Sequence, residues 1–286
     1  MTKIFTQLPI KDNTEKLPFG ILATDDTILR DVRYRTLSRE EIKGIKDKKY
    51  IQRHPIEWLA KVICMVVESI DDIPIYAPYS ASGFKVFPEI IHEIPSSDVF
   101  FLFIGGHIHN FGFIIKGLMG ECGDCGKKQS FDSNLQPLKV DTDYEGNYHQ
   151  FSVDLPDGFN IPDPSTKQNV LYKKIDFRMS VLGDALQFKD DYRPNGLGMF
   201  TEKIYANCVQ AVYDESGGQL DPSRVMALMP AIFKSISGLD NDKIEEAFND
   251  NIPQVTNIVK EICKNCSEDM DVFLQHGFLF TQRRLD

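Results

Sequence analysis

Two Cys-x-x-Cys pairs constrain this chain more than any other feature: Cys122-Gly-Asp-Cys125 and Cys263-Lys-Asn-Cys266. Thiolates two residues apart can both face one ion when the backbone turns tightly between them, so each pair offers half of a tetrahedral zinc site. Gly123 and Gly126 give the first turn a permissive backbone. In the second, Asn265 is the candidate for the left-handed position, and Ser267 stands where the first pair has a glycine. Four thiolates leave no coordination position for substrate, so such a zinc is structural. A shared site requires two distant hairpins to meet. The alternative is a metal-free turn that only shapes each hairpin, and both readings stay open at this point.

The spacing of other features suggests that each pair belongs to one of two similar halves. A strand pattern over Val32-Arg-Tyr-Arg-Thr-Leu is matched by Ile175-Asp-Phe-Arg-Met-Ser, and an apolar helix over 61–70 by 203–212. Leu17-Pro18-Phe19-Gly20 is echoed by Leu155-Pro156-Asp157-Gly158. A similar offset at several places is what duplication predicts. The expected fold is therefore α+β, a tandem duplication of a helix-plus-β-hairpin module with a cysteine knuckle in each copy. Its expected divisions are an N-terminal arm over 1–20, a first repeat over 21–145 and a second over 146–286. Ser38 with Glu41 forms a capping box that starts a helix. Pro55 to Ile70 carries apolar residues at three- and four-residue steps behind a leading proline. A further helix is expected from Asp98 to about Ile104, and Asp221-Pro-Ser-Arg-Val is aligned with Ser96-Ser-Asp-Val.

Composition removes several functions. The net charge is −10 with no lysine- or arginine-rich run, so the chain lacks the cationic face that general nucleic-acid binding needs. The most apolar stretch, Val99 to Met119, contains His107, His109, Asn110 and Lys116, which argues against a membrane span. No nucleophile elbow, phosphate loop or dinucleotide fingerprint is present. His107 and His109 form a His-x-His pair in an expected helix-to-strand turn. They are the candidates for a metal-dependent enzyme, against a structural reading. Cys64 and Cys208 sit in apolar helical patterns and read as core thiols. The apolar terminus Phe278-Leu-Phe280, followed by Arg283-Arg284, either closes the protein's own core or docks on a partner.

Beyond these residue-level readings, the chain resembles the baseplate hub assembly proteins of T-even-like contractile-tailed bacteriophages. The resemblance is carried in order by Leu17-Pro-Phe-Gly, Val32-Arg-Tyr-Arg-Thr-Leu-Ser-Arg-Glu-Glu, Glu121-Cys-Gly-Asp-Cys-Gly, Phe151-Ser-Val-Asp-Leu-Pro-Asp-Gly, Ile175-Asp-Phe-Arg-Met and Glu261-Ile-Cys-Lys-Asn-Cys. It implies a structural or assembly protein of the virion tail baseplate, made in the host bacterial cytoplasm. The partners it implies are hub, tube or wedge proteins, with several copies in a symmetric assembly and no catalytic residues. A transient tail-assembly chaperone, absent from the finished particle, is the alternative within the same family. Asp124, Lys264, Asn265 and Ser267 depart from the family's knuckle pattern.

Overall fold

The computed structural model describes residues 5–7, 14–75, 87–136, 138–141, 149–192, 197–251, 257–274 and 279. The chain divides into two compact units, Met1–Tyr144 together with Pro253–Asp286, and Glu145–Ile252. The second is inserted in the sequence of the first, so the C-terminal residues return to complete the first unit.

The first unit opens with β1 (Phe5–Gln7), β2 (Thr14–Leu22) and β3 (Ile28–Tyr34). Helices α1 (Arg39–Ile45), α2 (Lys48–Arg53) and α3 (Pro55–Val66) follow, then β4 (Val67–Ile70) and β5 (Ile73–Pro74). Next come α4 (Glu89–His92), α5 (Ser96–Phe111), the hairpin β6 (Ile114–Glu121) and β7 (Lys128–Asn134), and β8 (Lys139–Asp141). An antiparallel sheet in the order β2-β3-β4-β5 packs against α5 and α3, and β1 pairs with β8. The expected capping box is present: Ser38 accepts from the Glu41 amide at 3.2 Å, and Glu41 accepts from the Ser38 amide at 2.7 Å. Pro55 starts α3, which buries Ile56, Trp58, Val62, Ile63 and Met65. The Trp58 indole keeps its hydrogen bond by donating to the Ile45 carbonyl at 2.9 Å.

The latter part of the arm or edge segment expected over 1–20 is the edge strand of this sheet. Residues 14–20 lie in β2, and Leu17 and Phe19 are core side chains. The proline there is tolerated because the strand bulges. Lys16 pairs with Asp31 and Ile21 with Leu29, so residues 17–20 stand outside regular register. Their freed amides are taken by one buried carboxylate. Asp98 accepts from Phe19 at 3.0 Å and from Gly20 at 2.8 Å. Gly20 sits at φ 85°, and a Cβ there would meet Ile28 at 2.6 Å and the Leu29 carbonyl at 2.9 Å. Only glycine fits that turn. Residues 1–4 and 8–13 of the expected arm, and 278, 280, 283 and 284 of the apolar terminus, lie outside the described residues. Leu279 is described and is buried.

The second unit is an antiparallel sheet in the order β11-β10-β9. It is built from β9 (Gln150–Pro162), β10 (Asn169–Arg178) and β11 (Val209–Asp214), with α6 (Leu182–Gln187), α7 (Leu197–Cys208), α8 (Pro222–Ile232) and α9 (Gly238–Asp250). Phe151, Phe177 and Phe248 form an aromatic cluster, with Phe248 edge-on to Phe151 at 4.9 Å between centroids. β9 bulges as β2 does. Tyr172 pairs with Phe159 but Lys174 with Asp154, and the amides of Asp157 and Gly158 donate to the buried Asp240, both at 3.0 Å. Finally β12 (Ile258–Ile262) and β13 (Asp269–Phe273) form a hairpin that belongs to the first unit.

Candidate metal centre

Both cysteine pairs occupy hairpin links with one shared backbone. In the first, the Cys122 amide donates to the Lys127 carbonyl at 3.1 Å and Gly126 donates to Cys122 at 2.9 Å. In the second, Cys263 donates to Glu268 at 2.8 Å and Ser267 to Cys263 at 2.9 Å. The left-handed position falls on Gly126 at φ 69° and on Ser267 at φ 65°. The sequence reading placed it on Asn265; the turn needs it one residue after the second cysteine, where the chain reverses into the returning strand. A serine held there costs about 1–2 kcal/mol that glycine avoids.

Within the first unit β6 and β7 pack against β13 and β12. Gly120 of β6 faces Val272 of β13 so closely that a Cβ would meet its methyl at 2.8 Å. That close approach lets the links meet. The Cys122 and Cys266 sulfurs are 3.6 Å apart, Cys125 and Cys263 are 3.7 Å apart, and all four lie within 4.8 Å of one another. A disulfide would need about 2.05 Å, and all four are free thiols. A tetrahedral zinc with Zn–S bonds of about 2.3 Å sets sulfur–sulfur edges at about 3.8 Å. The residues present fit that ion.

Surrounding groups orient the sulfurs. The Gln129 side chain donates to Cys263 Sγ at 2.9 Å and accepts from the Lys264 amide at 2.9 Å. Asn265 donates its amide to Cys263 Sγ at 3.4 Å, and Lys127 Nζ donates to the Asn265 side-chain oxygen at 3.2 Å. Burial pushes the Cys263 thiol up, but the Cys266 and Asn265 amides and Gln129 outweigh it and bring it down to about 6. At Cys266 the Glu268 amide pulls downward, while Cys263, burial, Cys122 and Cys125 push the thiol up to about 12. Without an ion one thiolate is favoured and its neighbour resists ionising. A divalent cation held by the four sulfurs would replace those protons and relieve that opposition. Sequence reasoning found the four cysteines and missed Gln129, which no motif marks.

The same turn recurs without sulfur in the second unit. Asp163 donates to Gln168 at 2.8 Å, Lys167 donates to Asp163 at 2.9 Å, and Lys167 takes φ 60°. Here the Asp163 carboxylate accepts the amides of Ser165 at 2.8 Å and Thr166 at 2.7 Å.

His107 and His109 are not brought together. Both lie inside α5, not in a turn. Two residues apart on a helix, they face different directions. His107 is buried with Nδ1 on the Leu279 carbonyl, and burial pushes it down to about 4. His109 stacks on Tyr34 and meets the Thr36 hydroxyl at 3.3 Å. Cys64 and Cys208 are fully buried, and burial holds both thiols high, Cys64 at about 12. Among the described residues no helix is long and apolar enough to cross a membrane.

The fold is that of an α+β protein in which four cysteines from two hairpins lie close enough together to hold one metal ion. A family model described as T4 bacteriophage base plate protein matches residues 84–279, a stretch that contains all four cysteines and more than half of the chain. The chain belongs to that family of phage baseplate proteins. No curated protein and no solved structure matches it.

Proposed function

We propose that this chain is a structural or assembly protein of the hub region of a contractile-tail baseplate, and that it works by binding other tail proteins without catalysis. The observation that carries this reading is the family match across a closed thiolate cluster. An ion ringed by four thiolates has no open position for substrate, and the two histidines that offered another site diverge. In this reading a zinc held by Cys122, Cys125, Cys263 and Cys266 fixes the C-terminal hairpin to the rest of the first unit.

The reading includes descent from a duplicated module. Val32, Tyr34, Arg35, Glu41 and Asp98 have counterparts of the same role in Ile175, Phe177, Arg178, Asp184 and Asp240. Val32 pairs with Ile70 and Tyr34 with Val67, as Ile175 pairs with Val212 and Phe177 with Val209. Arg35 holds Glu41 at 2.9 Å and the Met65 carbonyl at 2.8 Å; Arg178 holds Asp184 at 2.8 Å and the Asn207 carbonyl at 3.3 Å. This register pairs Cys208 with Val66, not with Cys64, and it pairs Asp98 with Asp240, not with the segment at Asp221.

A reconstruction of intact baseplates tests the location: density for this chain on the central hub is expected, and a peripheral position would refute it. Protein content of purified virions separates a resident component from a transient chaperone; presence in finished particles is expected for the first.

A further inference from the structure

The two cysteine hairpins share a backbone but not their surroundings, and the difference lies at one position. Gln129 pairs with Gly120 in the first hairpin, two residues before Cys122. In the second hairpin the same register falls on Met270, which pairs with Glu261, two residues before Cys263. Met270 is buried and lies over Gly120, its methyl 3.3 Å from where a Cβ would stand. Gln129 instead reaches across to the other knuckle, where its side chain meets both Cys263 and Lys264. Among the described residues, Cys263 is the one knuckle sulfur that accepts a side-chain N–H.

The orientation of that amide group is dictated by its neighbours. The Lys264 backbone N–H can only donate, so the Gln129 oxygen must face it, at 2.9 Å, and the side-chain nitrogen must then face the sulfur, also at 2.9 Å. Holding a sulfur and the next backbone N–H at once takes a planar group with one acceptor and one donor on a stem of this length. Asparagine is a methylene shorter, glutamate has no donor when ionised, and methionine has neither. Lys127 also crosses between the hairpins, but its Nζ donates to the Asn265 side-chain oxygen at 3.2 Å and not to a sulfur. An N–H aimed at a metal-binding sulfur fixes where that sulfur points and withdraws part of its charge. Outer partners of this kind orient the ligands they touch.

We infer that Gln129 is a positioning residue of the metal centre: from the opposite hairpin it holds Cys263, alone among the four sulfurs, in the ligating direction. The inference rests on the reading of the four cysteines as one metal site. It makes that site one-sided, with Cys263 the sulfur that gives least charge to the ion.

The test uses the full chain with three substitutions, Gln129→Met, Gln129→Glu and Lys127→Met. Zinc affinity is measured by competition with a chromophoric chelator, and the sulfur-to-cobalt charge-transfer band is recorded after cobalt substitution. Gln129→Met should weaken zinc binding roughly 10–100-fold and move the band to lower energy, because a sulfur freed of its hydrogen bond gives up charge more readily. Gln129→Glu keeps the acceptor for the Lys264 amide and loses the donor to sulfur, so it should weaken zinc binding at least as much. Lys127→Met removes a bond between the same hairpins and should leave the band where it stands in wild type. Gln129 is half-buried and Lys264 is exposed, so the circular dichroism of the zinc-loaded variants should match wild type. Wild-type zinc affinity in Gln129→Met or Gln129→Glu, an unmoved band in Gln129→Met, or an equal shift in Lys127→Met would each overturn the proposal and leave the shared metal site standing. A wild-type chain that takes up neither zinc nor cobalt would overturn the proposal by removing the site itself.

Discussion

Cys122 and Cys266 are separated by 144 positions in sequence and by 3.6 Å between sulfurs. The pairing crosses the two hairpins: the first cysteine of one knuckle lies against the second of the other, and Cys125 meets Cys263 in the same way. Each knuckle alone is therefore half a site.

Metal content follows from that crossing. Purified protein is expected to hold about one zinc per chain, and cobalt substitution should give the intense thiolate charge-transfer bands of a tetrahedral sulfur site. Cys122→Ser and Cys263→Ser should each abolish stoichiometric metal, because neither hairpin retains a full ligand set. Full zinc retained by both variants would remove the shared site.

Chelation should cost stability in the first unit. Metal binding free energy is folding free energy where the site is not preformed. A loss of a few kcal/mol corresponds to a fall in melting midpoint of roughly 10 °C, at about 2–4 °C per kcal/mol for a domain of this size. Calorimetry with and without a strong chelator measures it, and an unchanged midpoint would contradict a structural role for the ion.

The two buried carboxylates that hold bulged strands should matter equally. Asp98→Ala leaves the Phe19 and Gly20 amides without their acceptor, and Asp240→Ala does the same to Asp157 and Gly158. Each is expected to cost about 2–6 kcal/mol, at about 1–3 for each of the two unsatisfied buried amides. Urea denaturation followed by circular dichroism checks it. A loss under 1 kcal/mol at either position would show the bulge to be held by other means.

Stability should fall as pH rises toward and through 7. Burial raises Glu15 from its ordinary 4.5 to about 7, against a lowering influence of the neighbouring Tyr34 hydroxyl. Burial likewise raises Asp98 from 3.8 to about 7, opposed by the Gly20 and Phe19 amides and Arg30. The folded chain thus binds more protons than the unfolded chain between those limits. The contribution is fully present below the ordinary values and is lost as pH passes 7. Glu15→Gln should flatten part of that fall in denaturation midpoints measured from pH 5 to 8; an identical pH profile would refute the assignment.

Gly105 offers a local test of packing. A methyl there would overlap the Tyr34 ring and hydroxyl and approach the Glu15 carboxylate at 2.7 Å. Gly105→Ala should destabilise the first unit by about 1–3 kcal/mol through overpacking, although alanine is the better helix former by about 1 kcal/mol.

The hairpins, the capping box and the cysteines were legible because each is written in local spacing: two residues between thiols, three between Ser38 and Glu41, alternation along a strand. Gln129 was not, since its bond to Cys263 depends on two hairpins packing. The expected helix stopped at about Ile104, and Gly105-Gly106 with the two histidines was assigned to a helix-to-strand turn, whereas α5 runs on to Phe111. Tertiary contact overrides glycine's weak propensity there, with Tyr34 and Val66 seated where side chains would stand. The prolines at 9 and 18 pointed to extended backbone over 1–20, an arm or an edge segment, and residues 14–20 are the edge strand. The bulge that accommodates Pro18 is completed by Asp98, far along the sequence and invisible to any local pattern.

The insertion of one unit within the other sets an order on synthesis. At about 5–20 residues per second, the ribosome takes roughly 7–30 s to travel from the first knuckle to the second. Through that interval Cys122 and Cys125 are a nascent half-site with no partner thiols. The first unit to be translated is therefore the last to close, and newly made chains should pass through a metal-poor stage in which the second unit is already folded.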